Sequence, residues 1–457
     1  MKRKLLRAAA ALMTILVIAG MSLYTAGALT FSNDVETYSE AILLVSLDTG
    51  QPVIEQNADK RMYPASTTKI MTYIVACENV ADPENTRVTV KQSIIDSLND
   101  TGSSMAYLSD HVGEEVSFID LLYSMMVPSG NDAALTLADY VGNGDIQAFV
   151  DKMNAKAKEL GCENTHFTNP DGLHDDNHYT TARDLLKITQ SAQKLPYFEE
   201  ISNTVTYTCE GDEDALITTN YLIDPNTEYY YSYARGIKTG TTDEAGRCLV
   251  TTASADGQSY ILVLLGAPYE EGSEEEYYTF LDAAGLFRWC LTQLEPKIVF
   301  TTQSPICEVT VSNAQGGKTA LVPEKSITSV LPKGYTKQNI VVEPSVPTGL
   351  QAPLSKDETV GSASVYYYDA QSGKKQLIET VNVRPAADVL TVDGEKPEKA
   401  ESGESSVNGS SKSFFEKYLL YIIIGGAVVL AVVIIIICVV VAKKKKSSSN
   451  DDGRHFD

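Results

Sequence analysis

Basic residues are scarce in this chain. Lysine and arginine number 37 against 60 aspartates and glutamates, a formal charge of −23, and such a surface repels polyanions, so nucleic acid and anionic lipid are excluded as main partners. Histidine is rarer still, with five in 457 residues, and the seven cysteines stand as singles without a Cys-x-x-Cys pair. Neither a zinc site nor a redox motif is supported, and no motif asks for a metal or any other cofactor. The one tryptophan is Trp289, and no internal repeat is present. What remains, 43% hydrophobic and 21% charged residues, is the composition of a globular protein, long enough for two folded domains with tails.

The two ends of the chain differ from the middle. Met1-Lys2-Arg3-Lys4 and Arg7 form a basic start, Ala8 to Leu23 is almost wholly apolar, and Ala26-Gly27-Ala28 is a small-residue cleavage site. Residues 1–28 are therefore expected to be a signal peptide for export. Residues 418–442 (YLLYIIIGGAVVLAVVIIIICVVVA) are apolar throughout, long enough for a transmembrane helix of about 20 residues. Lys443 to Lys446 follow, and the positive-inside rule assigns 443–457 to the cytoplasm, leaving the rest outside on a single-pass anchor. Residues 391–417, rich in Glu, Lys, Ser and Gly, read as a flexible stalk. Export permits disulfides, but spacing does not pair the cysteines, and most read as small buried hydrophobes.

Between these ends the pattern predicts an α+β domain over 29–296 and a small all-β domain over 297–390. Ala41 to Leu47 and Pro52 to Glu55 flank Asp48-Thr49-Gly50 as a hairpin. A helix starts at Ser66. Phe118 to about Leu160 is helical, broken at Pro128-Ser129-Gly130 and capped by Gly161, and Arg183 to Leu195 is a further helix. Strands follow at Val205 to Thr208, Ala234 to Lys238, Cys248 to Ala253 and Ser259 to Gly266, the last two joined by Asp256-Gly257; Glu274 to Leu294 returns to helix. The first hairpin should lie beside the last strands in one antiparallel sheet covered by a helical block. From Lys297 to Arg384, short alternating runs broken by Pro and Gly suggest strands alone.

Ser66-Thr67-Thr68-Lys69 sets a hydroxyl and an amine three residues apart at a helix start, hence on one face about one turn apart. A lysine acts as a base only when its pKa falls toward neutrality, through burial or a second cation. Ser129-Gly130-Asn131 sits in the break between helices, and Lys238-Thr239-Gly240 closes a strand, where Gly240 leaves room for a ligand backbone. Each tripeptide is weak alone. In the order Ser-x-x-Lys, Ser-x-Asn, Lys-Thr-Gly they match the motif set of the active-site serine, penicillin-recognising enzymes.

The chain thereby resembles the low-molecular-weight penicillin-binding proteins that act as D-alanyl-D-alanine carboxypeptidases. Tyr63-Pro64-Ala65, Asn169-Pro170-Asp171-Gly172-Leu173, His178 to Leu185 and Gly236 to Gly246 extend the likeness, which spans Tyr38 to Trp289 and weakens in the β domain. The resemblance implies a β-lactamase/transpeptidase-like fold. It implies Ser66 as nucleophile on peptidoglycan stem pentapeptides, Lys69 as base and Ser129 as proton relay to the departing D-alanine. Asn131 would hold the substrate amide, Lys238 and Thr239 the terminal carboxylate, and the N–H groups of Ser66 and Thr241 the oxyanion, with Gly240 between them. Lys238 would also depress the pKa of Lys69, and β-lactam antibiotics would be covalent inhibitors. Many relatives end in an amphipathic helix on the membrane surface, whereas 418–442 should cross it.

Other readings stand beside this one. A class A-type β-lactamase shares the three motifs and would need a deacylating glutamate, for which Glu159 and Glu163 lie in the right interval. A non-catalytic wall-binding protein could retain the pocket. Sequence order leaves a Ser-His-Asp triad open, though no Gly-x-Ser-x-Gly elbow surrounds Ser66. His174-Asp175-Asp176-Asn177-His178 has ligand-type residues but reads as a polar loop. Tyr229 to Tyr231 and Tyr366 to Tyr368 suggest sugar-stacking surfaces, or simply strand packing, and Glu270 to Glu276 a solvated acidic loop.

Overall fold

A computed structural model describes residues 31, 34–106, 108–269, 277–370 and 372–397. The expected signal peptide over 1–28, the expected transmembrane segment over 418–442, the expected tail over 443–457, the expected stalk beyond 397 and the acidic stretch 270–276 lie outside the described residues. Among the described residues no helix is long and apolar enough to cross a membrane.

The chain opens with β1 (Ala41–Ser46) and β2 (Pro52–Gln56), then a 3₁₀ turn (Ala65–Thr68) that runs into α1 (Lys69–Glu78). Next come β3 (Arg87–Thr89), α2 (Gln92–Ser97), β4 (Glu115–Ser117), α3 (Phe118–Met126), α4 (Asn131–Val141), α5 (Ile146–Glu159), α6 (Ala182–Ala192) and α7 (Phe198–Ser202). Two short strands, β5 (Thr206–Tyr207) and β6 (Leu216–Ile217), precede β7 (Ala234–Thr242), β8 (Gly246–Ala255), β9 (Gln258–Ala267) and α8 (Tyr278–Gln293). The five main strands form an antiparallel sheet in the order β2-β1-β9-β8-β7, so the first hairpin does lie beside the last strands.

Both faces of this sheet are covered, which is why β1 reads as an unbroken apolar run rather than an alternating one. Ala41, Leu43 and Val45 face a core shared with Ile70, Met71 and Ile74 of α1. Ile42 and Leu44 face the other way, onto Phe280, Leu286 and Phe287 of α8. Helix α1 is the centre of the helical block, and its residues Lys69 to Ala76 are all buried.

Helix ends follow the local chemistry. Ser117 caps α3, Asp145 caps α5 and Thr181 caps α6 through side-chain oxygens that accept from the first-turn N–H groups. Gly161, at φ +70°, ends α5 as expected. The single break predicted between Phe118 and Leu160 proves to be two. Gly142 ends α4, Asn143 and Gly144 both take left-handed backbone, and Asp145 starts the next helix.

The all-β part holds β10 (Leu294–Phe300), β11 (Cys307–Thr310), β12 (Lys318–Pro323), β13 (Ile327–Pro332), β14 (Ile340–Ser345), β15 (Gly361–Asp369) and β16 (Lys374–Pro385). Five of these form a sheet in the order β11-β12-β16-β15-β14, while β10 pairs with β13. The β10–β13 pair meets the α+β part directly. Gln51, in the β1–β2 turn, accepts from Val330 N at 2.9 Å and Ser329 Oγ at 2.8 Å, and Leu294 and Val330 complete the core beneath α8.

All six described cysteines are free thiols, buried or half-buried, and burial raises the pKa of every one. The tyrosines at 229 and 231 pack internally, Tyr229 against Tyr277 and Phe280, Tyr231 against Phe287. Packing accounts for these two, while Tyr230 between them is exposed.

Asp282 of α8 ties down the segment ahead of β1. Its fully buried carboxylate accepts from Tyr38 N at 3.0 Å, Ser39 N at 2.8 Å and Ser39 Oγ at 2.6 Å. Asp282→Ala would strand these donors and is expected to cost ~3 kcal/mol. Urea denaturation of the variant checks this, and a midpoint equal to wild type would contradict it.

Candidate active site

Strand β7 is an edge of the main sheet, and the Ala65–Thr68 turn packs against it. The sequence predicts that Gly240 admits a ligand backbone; the close neighbour is instead the protein's own turn. A Cβ at 240 would lie 2.9 Å from Ser66 N and 3.0 Å from both Pro64 O and Thr67 N. On the other side Gly172, at φ +90°, abuts Ala65, whose carbonyl a Cβ there would overlap. The turn is thus held between two surfaces that tolerate only hydrogen at the contact. Lys238-Thr239-Gly240 lies inside β7 rather than at its end, because pairing with β8 continues through Thr242.

Lys69 is fully buried, and its Nζ donates to Ser66 Oγ at 2.9 Å, Asn131 Oδ1 at 2.6 Å and Asp171 O at 2.7 Å. Burial pulls its pKa down to about 8, against the opposing pull of the Asp171 and Asp132 carboxylates. Burial, rather than a second cation, is therefore what lowers Lys69. Lys238 is also buried and is held well below its ordinary value, by burial first and then by the Lys69 charge. Once Lys69 is neutral it keeps two N–H groups and one lone pair. Asn131 Oδ1 and Asp171 O can only accept, so they take the two N–H groups, and the lone pair is left for the Ser66 hydroxyl.

The remaining residues are positioned around this pair. Asn131 is anchored by its Nδ2, which donates to Ser103 Oγ at 3.0 Å, and by its N–H, which donates to Ser104 O at 2.8 Å. Asp132 beside it accepts from Ala106 N at 2.9 Å and Leu108 N at 3.1 Å, fixing that wall. Ser129 stands between α3 and α4 in left-handed backbone, φ +67°, a conformation that costs a non-glycine residue about 1–2 kcal/mol. The hydroxyls of Thr239 and Thr219 are hydrogen-bonded to each other. A cavity of about 270 Å³ opens here, and Ser66, Ser104, Ser129, Thr239, Gly240, Thr241 and Arg247 line it, with Tyr221, Tyr277 and Phe280. Asn131, Lys69 and Lys238 do not reach its surface. Lys238 Nζ donates to Thr239 O at 3.1 Å. A larger cavity, about 640 Å³, lies between Trp289 and the β domain and contains none of these residues.

Four contributors escape sequence reasoning. The Asp171 carbonyl and the Asp132 carboxylate carry no catalytic signature by residue type, although Asp171 lies in the Asn169–Leu173 stretch that extends the likeness, and Arg247 sits in a strand. His178 is the fourth. It is buried, Thr168 N–H donates to its Nδ1 at 3.2 Å, and its Nε2 lies 2.8 Å from Thr68 Oγ1. An acceptor at Nδ1 makes Nε2 the protonated nitrogen, so His178 joins the loop that carries Asp171 to the residue before Lys69. Only its neighbourhood, His178 to Leu185, stood out in the sequence. The two glutamates considered for a β-lactamase, Glu159 and Glu163, are both exposed and neither lines the Ser66 cavity.

A serine with a buried lysine as partner, set in a cleft at the edge of an antiparallel sheet, defines an acyl-transfer site. The family model for D-alanyl-D-alanine carboxypeptidase matches residues 28–269, and that for the penicillin-binding protein 5 C-terminal domain matches residues 295–385. The chain belongs to the D-alanyl-D-alanine carboxypeptidase family. It is 28% identical over 327 residues to the D-alanyl-D-alanine carboxypeptidase DacF of Bacillus subtilis (strain 168), covering 71% of this chain and 80% of that one. It is 30% identical over 360 residues to DacC of Escherichia coli (strain K12), covering 76% and 84%. The crystal structure of DacD from Francisella tularensis superposes with a TM-score of 0.63 at 28% identity, over 79% of this chain and 96% of that one. The fold is the penicillin-binding, transpeptidase-like one, followed by an all-β domain.

Burial holds the pKa of His178 down to about 4. An unfolded histidine binds its proton near 6.5, so between about 6.5 and 4 the unfolded chain holds more protons, and stability falls with pH by ~3 kcal/mol. Above 6.5 this contribution is fully present. His178→Gln should flatten the decline in melting temperature across that window. Parallel curves for wild type and variant would refute the assignment.

Proposed function

We propose that the protein removes the terminal D-alanine from peptidoglycan stem pentapeptides through an acyl-enzyme on Ser66. The observation that carries the reading is the 2.9 Å contact between Lys69 Nζ and Ser66 Oγ, made by a lysine that burial brings to about 8. Lys69 in its neutral form takes the hydroxyl proton as Ser66 Oγ attacks the carbonyl between the two D-alanines. The N–H groups of Ser66 and Thr241 receive the oxyanion, an interaction contributing about 3 kcal/mol in comparable sites. Ser129 passes a proton to the departing amine, and Asn131 orients Lys69. Thr239 and Thr241 receive the terminal carboxylate across Gly240, with Lys238 behind them as the electrostatic neighbour of Lys69. Water then releases the shortened peptide. β-Lactams enter the same path as carboxylate-bearing acylating agents whose release is slow.

The proposed setting is extracytoplasmic. A signal peptide over 1–28 and a single-pass helix over 418–442 are supported by composition alone, with Lys443 to Lys446 on the inner side. The domains proposed are 29–296 for catalysis and 297–390 for the β-rich part, with a stalk over 391–417. Deleting residues 418–457 should release the protein from the membrane fraction; a truncated chain that still sediments with membranes would contradict the anchor.

Incubation with a D-alanyl-D-alanine pentapeptide should yield a product one alanine lighter by mass spectrometry. Labelled penicillin should mark Ser66 and fail to mark Ser66→Ala. Because the base must be unprotonated, kcat/KM should rise with pH through about 8. An intact pentapeptide, or an adduct that persists in Ser66→Ala, would sink the proposal.

A further inference from the structure

A cavity of about 640 Å³ between α8 and the all-β part shares no residue with the cleft beside Ser66. Its size is that of a small-ligand site, about 300–1,000 Å³. Three elements build it. Trp289 and Gln293 stand one turn apart on one face of α8, and the turn after β13 brings Lys333 and Tyr335. The β15–β16 hairpin supplies the third wall, and its register explains which side chains reach in. Tyr367 pairs with Gln376 and Asp369 with Lys374, so these four share one face of the sheet. Tyr366 and Tyr368 alternate to the other face, so of the three tyrosines that stand out in the sequence only Tyr367 lines the cavity.

The chemistry of the lining selects a class of ligand. Asp369 faces Lys374 across the hairpin, and the Lys333 amine donates to Leu291 O at 3.0 Å, so the walls single out neither a cation nor an anion. What they offer is rings, those of Trp289, Tyr335 and Tyr367, beside the amides of Gln293 and Gln376. A sugar matches that pairing. The C–H face of its ring packs on an aromatic face, while hydroxyl and acetamido groups need polar partners that both donate and accept.

We infer that this cavity binds the glycan of peptidoglycan, a chain of N-acetylated hexosamines, and so gives the protein a hold on the wall polymer separate from the site that trims its peptides. The inference goes beyond the carboxypeptidase reading, on which only the choice of sugar rests. Helix α8 keeps the two sites apart: Phe280 near its start lines the Ser66 cleft and Gln293 at its end lines this cavity, about 20 Å away along the axis.

Trp289 is the only tryptophan in the chain, so its fluorescence reports on this cavity alone. Titrating the full chain with tetra-N-acetylchitotetraose, which carries no peptide, should change the emission saturably. Cellotetraose, with hydroxyls in place of the acetamido groups, should bind about tenfold more weakly, and so should the chitotetraose to Tyr335→Ala and to Gln376→Ala, each the loss of one contact. Both variants should cleave a D-alanyl-D-alanine pentapeptide as wild type does, and Ser66→Ala should bind the sugar as wild type does. No saturable change in emission together with no heat of binding by calorimetry overturns the inference. Unchanged affinity in both variants overturns it as well, and if Tyr335→Ala does not fold, unchanged affinity in Gln376→Ala does so alone. A response of Ser66→Ala to the pentapeptide equal to its response to the sugar marks a peptide site and also overturns it. Wild type that binds the sugar but leaves the pentapeptide whole would count against the carboxypeptidase reading and uphold this one.

Discussion

The burial of one ammonium group governs the organisation of the active site. Lys69 sits at the start of the central helix, where no water reaches it, and a desolvated cation is tolerated only when every N–H is met. Its three partners come from three separate stretches: the turn before α1, the start of α4, and the Asn169–Leu173 loop. Each must arrive with sub-ångström accuracy, and the surrounding structure accounts for how. Gly240 and Gly172 let two walls close on the turn, Asp132 fixes the segment that anchors Asn131, and His178 ties the Asp171 loop to Thr68. In the proposed mechanism the same three contacts aim Lys69 as the base. Two partners can only accept, so the lone pair of the neutral amine has a single useful direction.

Much of this was legible beforehand, for identifiable reasons. The Ser66–Lys69 spacing, the hairpin at Asp48-Thr49-Gly50, the Asp256-Gly257 turn and the Gly161 cap are local signals, set by residues adjacent in sequence. That the first hairpin lies beside the last strands followed from where strands and helices cluster along the chain. What stayed hidden is non-local or chemically plain. A backbone carbonyl such as that of Asp171 has no residue signature, and Asn143-Gly144-Asp145 was too short to interrupt the helical pattern of its flanks. Arg247 resembles any charged residue near a strand end until the fold brings it opposite Thr241.

The site divides a charged and a neutral polar side chain between two faces of one strand. Lys238 and Thr239 are neighbours in β7 and so project to opposite sides, the lysine toward the buried base and the threonine toward the cavity. A tripeptide that looks like one binding element is therefore two, one buried in the interior and one lining the cavity. The Ser66 turn packs on the lysine's face of β7, where Gly240 leaves room for it.

The free thiols carry a consequence of another kind. All six described cysteines are buried or half-buried, and burial favours their less reactive protonated form. They are spread over the helical block, the main sheet, α8 and the β domain, so each region carries its own chemical sentinel. An alkylating reagent applied to the native protein would find little to attack, and the order in which the sulfurs became modifiable would chart which part of the molecule opens first.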